Sequence, residues 1–406
     1  MQRHPSRKPL TTYASLGALV LIAQTAYAAS PALELNGPNP LAVNETGTDV
    51  AAFGGYLASS SQFENDNRLP NEGPPTGFES RVRLFNQGNH VRDYYVPRFC
   101  STPTGGGHSG GGMRNTLSIG ARGLVLGLQF YSCGVPDRAG AAIVYLRNGS
   151  DYSTSHTFLT PPADLPAGSR YGAAAATHGD WIAFGVPGSV NSGLQGRVDM
   201  WRWNGAAFVR HGWLTPPPGL PASSGFGTAV AIHEDLMIVG APEANMFYVY
   251  HREQGNWLPK AQYQGGTVPT GLNVDITNSY LVSSRDNVVT IYRRVWNGWV
   301  PHQVIRNPES PGAPWGEDVA IDQHRLIIGN PFFDRVAIYG LQGDYVRLGY
   351  VQVNFAGTPG SVSELLRFGE AVAIDNDDVI VGDRNARHLG SSALGANFFQ
   401  KYYWVY

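Results

Sequence analysis

Phe226-Gly227-Thr228-Ala229-Val230-Ala231-Ile232 is followed, after His233-Glu234-Asp235, by Leu236-Met237-Ile238-Val239-Gly240-Ala241-Pro242. Apolar residues alternate in the first run, which is the period of a strand with one buried face. The second run is apolar throughout, and only three turn residues separate the two. The stretch therefore reads as a tight hairpin, with its two glycines thirteen residues apart. The same step joins Gly172 to Gly185, Gly316 to Gly329 and Gly369 to Gly382. It runs from Gly47 to Ser60 and from Gly271 to Ser284, with serine at the second place, and from Arg114 to Gly127, with arginine at the first.

Working outward, each hairpin is followed by a third apolar run carrying an aromatic, as in Val82 and Phe85, Val198 and Trp201, Phe247 and Tyr250, Val289 and Tyr292, and Val336 and Tyr339. A short turn and a fourth run follow, such as 208–214, 257–263 and 345–353. Each unit is thus a four-stranded antiparallel meander. Seven units at spacings of about 45–65 residues predict an all-β chain folded as a seven-bladed β-propeller. The linkers 160–172 and 215–227 share their Thr-Pro-Pro and Leu-Pro-Ala steps, an independent sign of duplication. The last unit ends after its third strand, and Ala32-Leu33-Glu34-Leu35 precedes the first frame unpaired. The N-terminal segment is therefore expected to supply the fourth strand of the last blade, which hides two sheet edges.

Residues 1–28 read as an export signal. Arg3, Arg7 and Lys8 precede an apolar run that ends in Ala26-Tyr27-Ala28, a small-x-small cleavage site. The expected mature chain, 29–406, is one propeller, secreted or placed in the periplasm or on the cell surface. The apolar run is too short to span a membrane, and no span is expected elsewhere. Of 29 basic and 31 acidic residues, cleavage removes three basic ones and leaves 26 against 31, a net of −5. That balance argues against nucleic acid as a partner. Cys100 and Cys133 are the two cysteines, and an even number in an exported chain points to one disulfide, with two buried thiols as the alternative.

At Phe226-Gly227 and Gly240-Ala241-Pro242 the sequence spells FG and GAP. The chain resembles the FG-GAP repeat family, known from the propeller domains of integrin alpha chains. It is most similar to bacterial secreted members, through units such as 368–382. The resemblance implies a propeller that acts in adhesion or recognition. Integrin-type units often carry an acidic calcium loop, which is missing here. The nearest acidic cluster, Asp375-Asn376-Asp377-Asp378, sits in a tight hairpin turn, where Asn and Asp suit the backbone. No calcium or other cofactor is expected.

In an up-and-down blade, the one-to-two and three-to-four connections share one face. The two-to-three and inter-blade connections share the other, and here that second set holds the long segments 61–80, 100–113, 130–140, 187–196 and 383–396. The loaded sector is blades seven, one, two and three. Candidate ligand contacts there are Phe63, Glu64, Asp66, Arg68, His108, Tyr131, Arg384 and His388. Both cysteines fall on the same face.

Catalytic patterns are weak. Gly107-His108-Ser109-Gly110-Gly111 matches GxSxG, but it lies in a glycine run with no following helix. No histidine spacing resembles a zinc site. The sequence thus points to a non-enzymatic binding module, a single monomeric ring, with a protein or glycan partner. An exported polysaccharide- or ester-directed enzyme, or a carbohydrate-binding lectin, is the alternative.

Overall fold

The computed structural model describes residues 33–35, 45–62, 80–86, 89–95, 116–131, 139–188, 193–266, 270–296, 298–307, 315–333, 335–352, 368–376, 378–383 and 397–401. It is a β-propeller of four-stranded antiparallel blades, with seven such sheets among the described residues. The first strands are Glu45–Phe53, Thr116–Ile119, Ala174–His178, Val230–His233, Asn273–Ile276, Val319–Ile321 and Phe368–Asp375. Each lies beside the first strand of the next sheet, and the last lies beside Glu45–Phe53, so the inner strands close a ring. In the sheet that begins with Phe368–Asp375, the outermost strand is Leu33–Leu35, which pairs antiparallel with Asn397–Lys401. Strands from both ends of the chain thus meet in one sheet, where Asn397–Lys401 is paired on both sides and Leu33–Leu35 forms the outer edge.

Burial falls from second strand to fourth, as a radial stack requires. Second strands such as Trp181–Val186 and Leu236–Ala241 are buried along their whole length, because sheets cover both of their faces. Outer strands such as Phe208–Leu214 and Asn256–Gln264 are exposed or half-buried apart from one residue in each. Between the sheets run apolar layers. One joins Leu236, Ile238 and Phe247 to Val274, Ile276 and Tyr292 of the next sheet. Another joins Val50, Leu57 and Phe85 to Ala371 and Ile380 across the closing seam.

The aromatic of the third strand coincides with a defect in pairing. The register of the third and fourth strands shifts just before Phe85, Trp201, Tyr250, Tyr292 and Tyr339, and just after Tyr145. A bulge there adds twist to the outer half of each blade and lets the aromatic ring turn into the inter-sheet layer.

The thirteen-residue step has a steric cause. The first glycine takes the left-handed region, with φ of 80° at Gly172, 90° at Gly227, 87° at Gly271 and 93° at Gly369, where a side chain is strained. Its N–H donates to the carbonyl of the second glycine: Gly172 to Gly185 at 3.0 Å, Gly227 to Gly240 at 2.9 Å and Gly316 to Gly329 at 2.9 Å. The second glycine is needed for a different reason. A Cβ at Gly185 would stand 1.9 Å from the carbonyl oxygen of Gly227, one at Gly240 2.1 Å from that of Gly271, and one at Gly329 2.0 Å from that of Gly369. The second glycine of one blade is therefore pressed against the first glycine of the next. Ser284, which replaces a second glycine, is fully buried and donates its hydroxyl to the Gly316 carbonyl at 2.8 Å.

Candidate functional site

The connections sort by face. Between first and second strands the chain turns from His178 to Trp181, from His233 to Leu236 and from Ile321 to Arg325, and between third and fourth from Glu253 to Asn256 and from Gln342 to Asp344. The opposite face carries the longer passages from Gln62 to Ser80, Leu128 to Ala141, Val186 to Arg197 and Asp383 to Asn397. On that same face the passages after Ala241, Arg285 and Asn330 are short.

Of the sequence-derived contacts, Phe63, Glu64, Asp66, Arg68, His108, Arg384 and His388 lie outside the described residues, as do Ser109 and the proposed Cys100–Cys133 bridge. Tyr131 is described. It is half-buried, its ring lies 6.1 Å from that of Phe158, and it packs on the apolar layer formed by Leu126, Ile143 and Tyr145. Burial raises its hydroxyl pKa. Its backbone N–H donates to the Leu128 carbonyl at 3.1 Å and its own carbonyl accepts from Gly140 at 3.0 Å. Tyr131 thus anchors the base of its loop.

Sequence reasoning passed over Phe332 and Phe333. Both follow Pro331 in a single 3-10 turn and are 44% and 37% exposed on the long-connection face, with the Arg335 guanidinium 4.9 Å from the Phe333 ring centre. The signal was present in the sequence as two adjacent aromatics following the GAP-like step Gly329-Asn330-Pro331.

The ring encloses a central channel of about 800 Å³, walled by the first strands. Its polar wall is built by one rule. In each first strand, N–H groups that point away from the second strand face the neighbouring blade. Asp49 accepts from Val50 at 2.9 Å with one oxygen and from Leu117 of the next blade at 2.6 Å with the other. Asp275 does the same with Ile276 and Ile321, both at 2.8 Å, and Asp318 with Val319 at 2.9 Å and Val372 at 2.8 Å. Ser118 is a weaker version, accepting from Thr177 at 3.1 Å. These carboxylates latch blade to blade, with both oxygens occupied by backbone donors. Burial pushes the Asp275 carboxyl up to about 7, against the pull of its two N–H donors, and Asp318 and Asp322 add to the rise. Asp275 is half-buried and keeps some surface open to the channel, which tempers that effect.

At the long-connection mouth, Arg170 holds Gln129 Oε1 with Nε at 3.3 Å and Nη2 at 2.8 Å. At the other mouth, the His178 and His233 rings lie 5.0 Å apart. Burial lowers both pKa values, and the neighbouring His233 lowers that of His178 further. No group of three or more His, Cys, Asp or Glu suited to a metal occurs among the described residues.

A second cavity, of about 690 Å³, opens on the tight-turn face at the outer part of the third sheet, between Arg122, Asp180, Arg202, Trp203 and Arg210. Beneath it, Asp199 is fully buried and accepts from Tyr171 Oη at 2.7 Å, Trp201 Nε1 at 2.8 Å and Arg210 Nε at 2.8 Å. Burial raises the Asp199 pKa, and the three donors oppose that rise. Trp213 lies between two guanidinium groups, Arg197 at 3.7 Å and Arg210 at 4.2 Å from its ring centre.

No protein-family model and no curated protein matches the sequence. Among solved structures, the chain is similar to the Myceliophteria thermophila Cps50 (Swd1) beta-propeller domain, with 10% identity and a TM-score of 0.54 over 91% of this chain and 99% of that one. It also aligns with Kluyvelomyces marxianus Hsv2, with 9% identity and a TM-score of 0.48 over 84% of this chain and 90% of that one. The first of these likenesses carries the propeller fold. No helix among the described residues is long and apolar enough to cross a membrane.

Proposed function

We propose that the chain is an exported, non-enzymatic binding module of the FG-GAP kind, a seven-bladed ring that recognises a protein or glycan through its long-connection face. The observation that carries this reading is the asymmetry of the connections. Every one-to-two turn is tight, while the passages after Gln62, Leu128, Val186 and Asp383 are long, and loops on a rigid scaffold are where recognition concentrates. The structural likeness to a propeller domain supports an interaction or assembly role only at the level of fold. The exposed Phe332 and Phe333 extend the candidate face to the sixth blade, because exposed aromatics on a rigid turn make effective contact anchors.

The test is affinity capture from the native extracellular medium, with the mature chain compared against a variant lacking residues 101–113. The expected result is loss of the captured partner with an unchanged melting temperature; equal capture would exclude the blade-one loop. N-terminal sequencing of the exported protein should begin at Ala29, and a chelator should leave capture unchanged.

A further inference from the structure

We propose that the cavity on the tight-turn face of the third blade binds an anionic sugar unit, a uronate or a sulfate ester. Its walls come from three separate places: Arg122 and Asp180 in successive one-to-two turns, and the hairpin that carries Arg202, Trp203, Val209 and Arg210. The cationic groups are not equally committed. Asp180 accepts from Arg122 Nε at 2.8 Å, which balances that pair. Arg202 has no carboxylate partner among the described residues, and its guanidinium carbon rests 5.5 Å from the centre of the Trp181 ring. Arg210 gives Nε to Asp199, and among the described residues no acceptor meets its two terminal nitrogens.

Arg202 and Arg210 both line this concavity with donors to spare, and guanidinium groups suit planar or branched oxyanions such as a carboxylate or sulfate. The rest of the lining favours a sugar over a bare ion. Asn204 uses its side-chain oxygen on the N–H groups of Ala206 and Ala207, at 3.0 and 2.9 Å, which leaves its amide hydrogens for a hydroxyl. Trp203 and Val209 add apolar surface of the kind that sugar C–H groups cover. The volume of about 690 Å³ accommodates one or two residues of a polysaccharide. The local excess of positive charge stands out on a chain whose expected mature form carries a net of −5.

The test uses the full mature chain, immobilised, with polygalacturonate and dextran sulfate as probes and neutral dextran and a single-stranded oligonucleotide as comparators. Saturable binding to at least one acidic polysaccharide, weakened by salt, is expected, with none to neutral dextran. Arg202→Ala should weaken binding by about tenfold, the value of one charge-assisted hydrogen bond. Val209→Asp, at a position 43% exposed, should weaken it as well by placing a negative charge in the cavity wall. Arg347→Ala, on a distant outer strand, should change nothing. The proposal is overturned if neither acidic polysaccharide binds, if neutral dextran or the oligonucleotide binds as well as they do, or if Arg202→Ala and Val209→Asp bind like the wild type.

Discussion

Two kinds of junction contrast around the inner ring. From the first blade to the second, the fifth to the sixth and the sixth to the seventh, Asp49, Asp275 and Asp318 each bridge two backbone N–H groups. From the third blade to the fourth and the fourth to the fifth, the matching places hold Ala174, Ala176, Ala229 and Ala231. There, no side chain among the described residues reaches the N–H groups of Val230, Ile232 or Val274. Both kinds of junction keep the glycine contact, at Gly185 against Gly227, at Gly240 against Gly271 and at Gly329 against Gly369. The close glycine approach therefore occurs with and without a carboxylate latch, while two of the latched junctions dispense with it: Ser60 and Arg114 hold the two glycine places from the first blade to the second, and Ser284 holds one from the fifth to the sixth.

Removing a latch should have the largest effect on this comparison. Asp318→Ala converts the sixth junction to the alanine type and strips the partner from two backbone donors, with an expected loss of about 1–2 kcal/mol in denaturant unfolding. A loss below the error of the measurement would make the latches ornamental.

A pH series separates the latches further. The Asp275 carboxyl is pushed up to about 7 from an ordinary 3.8, so the folded chain holds that proton more tightly than the unfolded chain does. Its contribution is fully present below about pH 4 and is lost as pH rises towards 7. The melting temperature should fall across that window, and Asp275→Asn should flatten the fall. An unchanged slope in the variant would assign the pH response elsewhere.

The smallest effect comes from building a latch. Ala229→Asp places a carboxylate where the N–H groups of Val230 and Val274 lack a side-chain acceptor. The expected gain is below about 1 kcal/mol, because desolvating the new charge offsets most of the hydrogen bonding. A loss of stability would show that the alanine junctions are too tight to take the latch.

Much of the architecture was legible because each level of the sequence repeats it. Alternation at Val230 and Ile232, the uniform apolar run 236–239 and the aromatic at Tyr250 specify strand, strand and layer without reference to any other blade. The purpose of the second glycine was not legible. Gly185 does not take a left-handed backbone, and its need for glycine appears only when Gly227 of the next blade is beside it. The latches were not legible, since an aspartate on the small or polar side of an inner strand fits the alternation and its second partner lies 46 to 68 residues away. The pocket of Arg122, Asp180 and Arg202 was illegible, because three turns from two blades make it and no local spacing marks it. Of the candidate ligand contacts only Tyr131 falls among the described residues, and its ring packs on the core.

The melting temperature of Gly185→Ala tests the account of the frame most directly. The backbone there accepts alanine, so the only obstacle is the Gly227 carbonyl, 1.9 Å from the added Cβ. Such a collision with a neighbouring backbone should cost about 3 kcal/mol or more, seen as a melt several degrees lower. A comparison variant, Gly205→Ala, adds a methyl into open space and tests only the left-handed turn. If Gly185→Ala melts with the wild type, the second glycine is not a contact between blades, and the thirteen-residue frame has some other cause.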